Sequence, residues 1–162
     1  MNRINLRILE GENMEDRYLF KAKRVDNGEW VKGALVYDDR DKLYRIITEI
    51  DYSTGTCLTT DNAPRVDKST ICQCTGLKDK NGKLIWENDI IKTFDAGEEC
   101  CLSKIIFADT SLGYGWKTTD IKSLSKYNNN LFKEVSFGSF DSKSAEIVGN
   151  IFDNAELLKS EE

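Results

Sequence analysis

The sequence predicts a mainly β protein with a minor helical part, built from two small antiparallel modules. Three observations carry that prediction. Apolar residues recur in short runs of β-branched and aromatic side chains, without sustained helical spacing. Two Asn-Gly pairs, Asn27-Gly28 and Asn81-Gly82, each stand between such runs. The one proline, Pro64, ends the first half. Many short strands at regular spacing favour an antiparallel barrel or sandwich over an alternating α/β fold.

Residues 1–16 place Ile4, Leu6 and Ile8 in strict alternation before the polar GENMED, and are expected as a weakly ordered segment or an edge strand. Residues 17–70 make the first module. Strands over 18–25 and 29–37 meet at Asn27-Gly28, where a type I′ turn is expected because both central residues need positive φ. A third strand covers 43–50, with Leu43, Tyr44, Ile46, Ile47 and Ile50, and a fourth covers 56–60 after the Ser53-Thr54-Gly55 turn.

The second module, residues 71–159, repeats the logic. Strands 75–80 and 83–86 flank Asn81-Gly82, and further strands are expected over 90–94, 101–108, 114–119, 134–137 and 145–152. In 101–108 both alternating faces carry apolar residues, Ile105 and Phe107 on one and Leu102 and Ile106 on the other, which marks a central strand. Residues 123–130, with three consecutive asparagines, read as an exposed loop. Asn154 is placed to cap a short C-terminal helix containing Ala155, Glu156, Leu157 and Leu158.

At 162 residues, with 40% apolar and 31% charged side chains, the chain can bury a core without disulfide staples. Its net charge of −5 argues against a broad electrostatic footprint on nucleic acid or an anionic membrane. No apolar run is long enough to span a bilayer, and no secretory layout opens the chain, so a cytoplasmic protein with reduced thiols is expected. The five cysteines, Cys57, Cys72, Cys74, Cys100 and Cys101, are odd in number and do not resemble a disulfide framework. Histidine is absent, which removes histidine bases, Ser-His-Asp and Cys-His nucleophile systems and every imidazole zinc site.

Residues 72–91, CQCTGLKDKNGKLIWENDII, resemble the signature of the YopX-like family of phage and prophage proteins, in which a TGLKDKNG turn runs into an aromatic-acidic-glycine-Asp-Ile-Val strand. Residues 146–158, EIVGNIFDNAELL, are similar to the family's closing strand and terminal helix, and residues 18–22, YLFKA, to its opening strand. Two positions depart from the pattern: Asn88 stands where the family has glycine, and Ala155 where it has proline. Asparagine tolerates the left-handed conformation that such a glycine serves, so the turn is expected to persist. The resemblance implies a two-part β protein whose C-terminal part is a small SH3-like barrel, encoded by a phage or prophage and acting in the bacterial host cytoplasm. It brings no catalytic residue with it.

Candidate binding residues are Trp86, Glu87, Asp89, Tyr114 and Trp116. Glu87 and Asp89 share i, i+2 spacing, which on a strand would set both carboxylates on one side beside Trp86, for acid/base work or Mg²⁺. The plainer reading makes them solvated anchors of a turn. Gly113-Tyr114-Gly115-Trp116 lacks the remaining glycines of a phosphate loop, but its aromatics suit stacking on a base or packing on a protein. Four thiols, in Cys72-Gln73-Cys74 and Cys100-Cys101, have the wrong spacing for a zinc site and are expected as small buried or half-buried side chains. Lys78, Asp79 and Lys80 read as a solvated approach to the hairpin.

No catalytic set, metal or cofactor is therefore expected. The leading expectation is a non-enzymatic accessory protein acting through a protein partner or self-association. A nucleic-acid-binding barrel with a patch of Lys92, Lys104, Trp116 and Lys117 is the second, and a carboxylate enzyme near Glu87 and Asp89 the third.

Overall fold

Hydrophobic burial is divided between two small cores, and the chain divides accordingly into two units, Met1–Gly76 and Leu77–Glu162. The computed structural model describes residues 14–48, 63–95, 98–110, 113–123, 134–136 and 142–158. The expected segment 1–16 falls almost wholly outside them, as do the strand expected over 56–60, Cys57 and most of the loop 123–130. The protein is mainly β, with antiparallel sheets and almost no helix.

In the first unit a 3-10 turn, Met14–Tyr18, leads into β1 (Phe20–Lys23), β2 (Trp30–Asp38) and β3 (Leu43–Ile47). Alternation sends Phe20 and Ala22, with Val31 and Leu35, to the face where Ile46, Val66, Tyr44 and Ile71 complete the core. The segment around Pro64 then does the work of a strand. Ile46 N–H donates to the Pro64 carbonyl at 3.2 Å and Val66 N–H to Tyr44 at 3.0 Å, while Val25 N–H donates to Arg65 at 3.0 Å and Asp67 N–H to Lys23 at 2.8 Å. Backbone bonds thus lace β3 to the end of β1 through isolated bridges at Arg45↔Arg65 and Arg24↔Val66. Proline suits this edge because its missing N–H is not asked for. At Gly33, opposite Phe20, the chains come so close that a Cβ would lie 2.1 Å from the Ile47 carbonyl oxygen.

β4 (Cys72–Lys78) pairs with β1 and runs across the division, and β5 (Leu84–Trp86) follows, giving the sheet order β3-β2-β1-β4-β5. The second sheet has the order β10-β6-β7-β8-β9, from β6 (Asp89–Asp95), β7 (Glu98–Thr110), β8 (Gly113–Ser123), β9 (Glu134–Ser136) and β10 (Ala145–Asn150). β7 is central, as its two apolar faces predicted: Ile105 is fully buried and Leu102 is 8% exposed. Ile85, Ile91, Ile105 and Ala145 form the core, with Leu77 and Ile147 packed against it. Among the described residues no pairing joins β9 to β10.

Two local expectations are corrected. In neither Asn-Gly pair does asparagine take positive φ; only Gly28 (φ 73°) and Gly82 (φ 78°) do, so neither turn is type I′. At the second, Gly82 N–H donates to the Asp79 carbonyl and Asp79 N–H to Lys83, both at 2.9 Å, leaving Lys80 and Asn81 at the centre and Gly82 as the left-handed bulge residue. The first is wider, closed by Gly28 N–H to Arg24 at 3.0 Å. The expected C-terminal helix is a single 3-10 turn, Ala155–Leu158, because Asn154 turns its side chain back on the preceding loop. Its Oδ1 accepts Asn150 N–H at 3.2 Å, and Asn150 Oδ1 accepts Phe152 and Asp153 N–H at 2.9 and 3.0 Å.

Candidate functional site

The TGLKDKNGKLIWENDI block forms two consecutive turns, and a buried aspartate organises each. At the first, Asp79 is 4% exposed. Its Oδ1 accepts Asn81 and Lys83 N–H, both at 2.9 Å, and Oδ2 accepts Ile147 N–H of β10 at 3.1 Å. Lys80 N–H adds a bond to the Ala145 carbonyl at 2.9 Å. The carboxylate thereby takes the place of a strand carbonyl along the outer edge of β10. Burial opposes its charge, but the bonds from Ile147, Lys83 and Asn81 outweigh that and hold its pKa below the usual aspartate value. The solvated reading of residues 78–80 therefore fails at Asp79.

At the second turn, Asp89 is 2% exposed and its Oδ2 accepts Trp86 N–H at 2.9 Å. Asn88 has φ 64°, the left-handed conformation that the glycine-to-asparagine departure was expected to keep. Its N–H donates to the Ile105 carbonyl at 2.9 Å and its carbonyl accepts Ile151 N–H at 3.1 Å, so the turn is tied to β7 and to the loop after β10. Glu87 is half-buried within the turn itself. The i, i+2 argument assumed a strand; the chain reverses here instead, and Asp89 folds back on the backbone. Trp86, 3% exposed, belongs to the interior and offers no stacking face.

Tyr114 and Trp116 lie away from that turn in the strand order, on β8, at register positions opposite Asp109 and Phe107. Lys92, Lys104 and Lys117 hold positions of one face of the second sheet, through Lys92↔Leu102, Ile90↔Lys104 and Ile106↔Lys117, whereas Trp116 holds the alternate position. Lys92 also pairs with Glu99 at 2.7 Å.

Cys72 and Cys74 are fully buried at alternate positions of β4 in the first unit, with Cys72 Sγ 3.4 Å from the Thr70 carbonyl. Cys101, in the second unit, lies 3.0 Å from Thr93 Oγ1 and 3.5 Å from Ser103 Oγ. Small buried thiols were expected, and Cys72 and Cys74 are such. Among the described residues no three of the metal-binding side chains converge, and no helix is long and apolar enough to cross a membrane.

A grouping not picked out from the sequence sits on the first unit. Lys21 and Lys23 stand 5.2 and 5.6 Å from the Trp30 ring centroid, with Lys32 opposite Lys21. The signal was present as the alternate spacing of KAK and WVK on either side of the first turn.

These features define a two-unit, antiparallel β protein whose buried acids hold turns. The family model for the YopX protein matches residues 19–159, and the chain belongs to that family. Among solved structures it is similar to protein EF1440 from Enterococcus faecalis, at 26% identity over 86% of this chain and 96% of that one, with a TM-score of 0.48. No curated protein matches the chain.

Proposed function

We propose that this chain is a non-enzymatic accessory protein of a phage or prophage, acting in the bacterial host cytoplasm by association with a protein partner or a second copy. The observation that carries the reading is the use made of Asp79 and Asp89. Each is almost wholly buried and bonded to backbone N–H groups, so the acids nearest the family signature are held as turn anchors and are poorly placed to exchange protons with a substrate. The second unit is read as an SH3-like module. Support comes from its compact isoleucine core and from the Asp79–Ile147 and Asn88–Ile105 bonds that draw both turns onto the sheet. Association is favoured by exposed aromatic surface: Tyr37 is 48% exposed and Phe107 50%.

The test is capture from host lysate with the full chain as bait, followed by reconstitution from purified components. A stoichiometric complex that re-forms is the expected result. Failure to form any complex, with host protein or with itself, overturns the reading.

Nucleic-acid binding is the second reading, favoured by the common face of Lys92, Lys104 and Lys117. It requires retention on single- or double-stranded DNA or RNA that weakens steeply with salt. No retention at low salt removes it.

A further inference from the structure

Asparagine followed by glycine carries its own nucleophile. The glycine peptide nitrogen lies within reach of the asparagine side-chain carbonyl carbon, and with no Cβ beside it nothing hinders the approach. Both such pairs in this chain, Asn27-Gly28 and Asn81-Gly82, stand on exposed turns. In both the glycine N–H is held, Gly28 by the Arg24 carbonyl at 3.0 Å and Gly82 by the Asp79 carbonyl at 2.9 Å. The side chains differ. Asn27 Oδ1 accepts Glu29 N–H at 3.0 Å and its Nδ2 donates to Glu29 Oε2 at 2.8 Å, so the carboxamide is fixed at both ends beside a carboxylate. The Asn81 main-chain N–H donates to Asp79 Oδ1 at 2.9 Å, but among the described residues no hydrogen bond holds its carboxamide.

We propose that Asn81 is a site of spontaneous deamidation, and that its isoaspartyl product releases the clasp of Asp79 on Ile147. The Gly82 nitrogen loses its proton and attacks Asn81 Cγ. The N–Cγ bond forms, the Cγ–Nδ2 bond breaks, and Nδ2 leaves as ammonia with that proton. Water then opens the cyclic imide at either carbonyl, giving aspartate or isoaspartate. Charge favours Asn81 as well, because the reacting peptide nitrogen is anionic. Lys83 stands beside it, exposed and in no ion pair among the described residues, while Lys80 is paired with Glu146 at 2.7 Å. The nearest acid, Asp79, spends its charge on three N–H donors. At Asn27 the Glu29 carboxylate touches the carboxamide itself, and Arg24 is taken by Asp26.

Isoaspartate routes the main chain through the former side chain and so inserts a methylene between Lys80 and Gly82. The turn has no slack for it. Gly82 N–H and the Lys83 carbonyl both bond the Asp79 backbone, and Lys83 N–H shares Asp79 Oδ1 with Asn81 N–H. The extra methylene displaces these groups, and the new carboxylate stands against that of Asp79. The side chain whose Oδ2 accepts Ile147 N–H is thereby loosened at its own turn, and the edge of β10 opens.

Peptide mapping by mass spectrometry of the full chain, aged at mildly alkaline pH and digested in acid, follows both sites. Exchange of ammonia for water at Asn81 is expected to run about tenfold or more faster than at Asn27, and the two rates to converge in urea, where the turns are gone. The comparison lies within one chain, so it needs no variant to fold. An isoaspartyl methyltransferase should label the aged parent but not aged Asn81→Gln, whose longer side chain closes its ring slowly. Hydrogen exchange at the Ile147 amide should be about tenfold faster in the isoaspartyl form and unchanged in aged Asn81→Gln. Asn27 reacting as fast as Asn81 in the folded chain, or neither reacting while the unfolded chain does, overturns the site. A preference that persists in urea overturns the turn as its cause. An isoaspartyl form whose Ile147 amide stays protected overturns the release of the clasp.

Discussion

The Asp79 carboxylate accepts the backbone N–H of Ile147, 68 residues further along the chain, at 3.1 Å. One side chain thus closes the β4–β5 turn and seals the edge of β10, joining local turn chemistry to the topology of the second unit.

Replacing Asp79 with alanine leaves the Asn81, Lys83 and Ile147 N–H groups without their acceptor, and those that stay buried carry a desolvation cost. The expected loss is on the order of 3 kcal/mol, more than a surface substitution causes. Urea unfolding of the second unit, followed by Trp86 fluorescence in a variant lacking the other tryptophans, measures it.

The same group sets an acid limit. Its folded pKa is lowered, so the stability it contributes is complete above the unfolded aspartate value of about 3.9 and is lost as pH falls through the folded value. Thermal unfolding between pH 7 and pH 2 should show a fall beginning below about pH 4. In Asp79→Asn that portion of the fall should be missing and the protein less stable at neutral pH.

Asn88 occupies φ 64° with both backbone groups bonded. Asn88→Gly should remain within about 1 kcal/mol of the parent, whereas a β-branched Asn88→Val should cost about 2 kcal/mol. Chemical denaturation of the pair gives the comparison, and equal stabilities would show that the turn can relax.

In the first unit, Gly33→Ala would bring a methyl within 2.1 Å of the Ile47 carbonyl oxygen. Backbone cannot yield as a flexible side chain can, so a loss of about 2 kcal/mol is expected there. Hydrogen exchange of β2 and β3 amides should rise together, while β6 and β7 amides keep their protection.

Much of the fold was legible because strand chemistry is local. Runs of β-branched and aromatic residues placed strands over 18–25 and 29–37, alternation marked β7 as central, and the KNG and WEND segments announced turns. The candidate site was less legible. Equal spacing of Glu87 and Asp89 means a shared face only if the backbone is extended, and Asn88 turns it.

By itself, the sequence determined the class of fold, the family, the buried thiols of β4 and the absence of histidine chemistry, since these follow from residue identity and near-neighbour pattern. Only the tertiary structure decided the turn types, the burial of Asp79 and Asp89, and the reach of β7 and β8 beyond β6. The Asp79 and Asn88 turns are fixed in place by hydrogen-bond partners distant in sequence: Ile147 for Asp79, Ile105 and Ile151 for Asn88. A carboxylate flanked by lysines looks solvated until the strand that needs its oxygen is brought alongside.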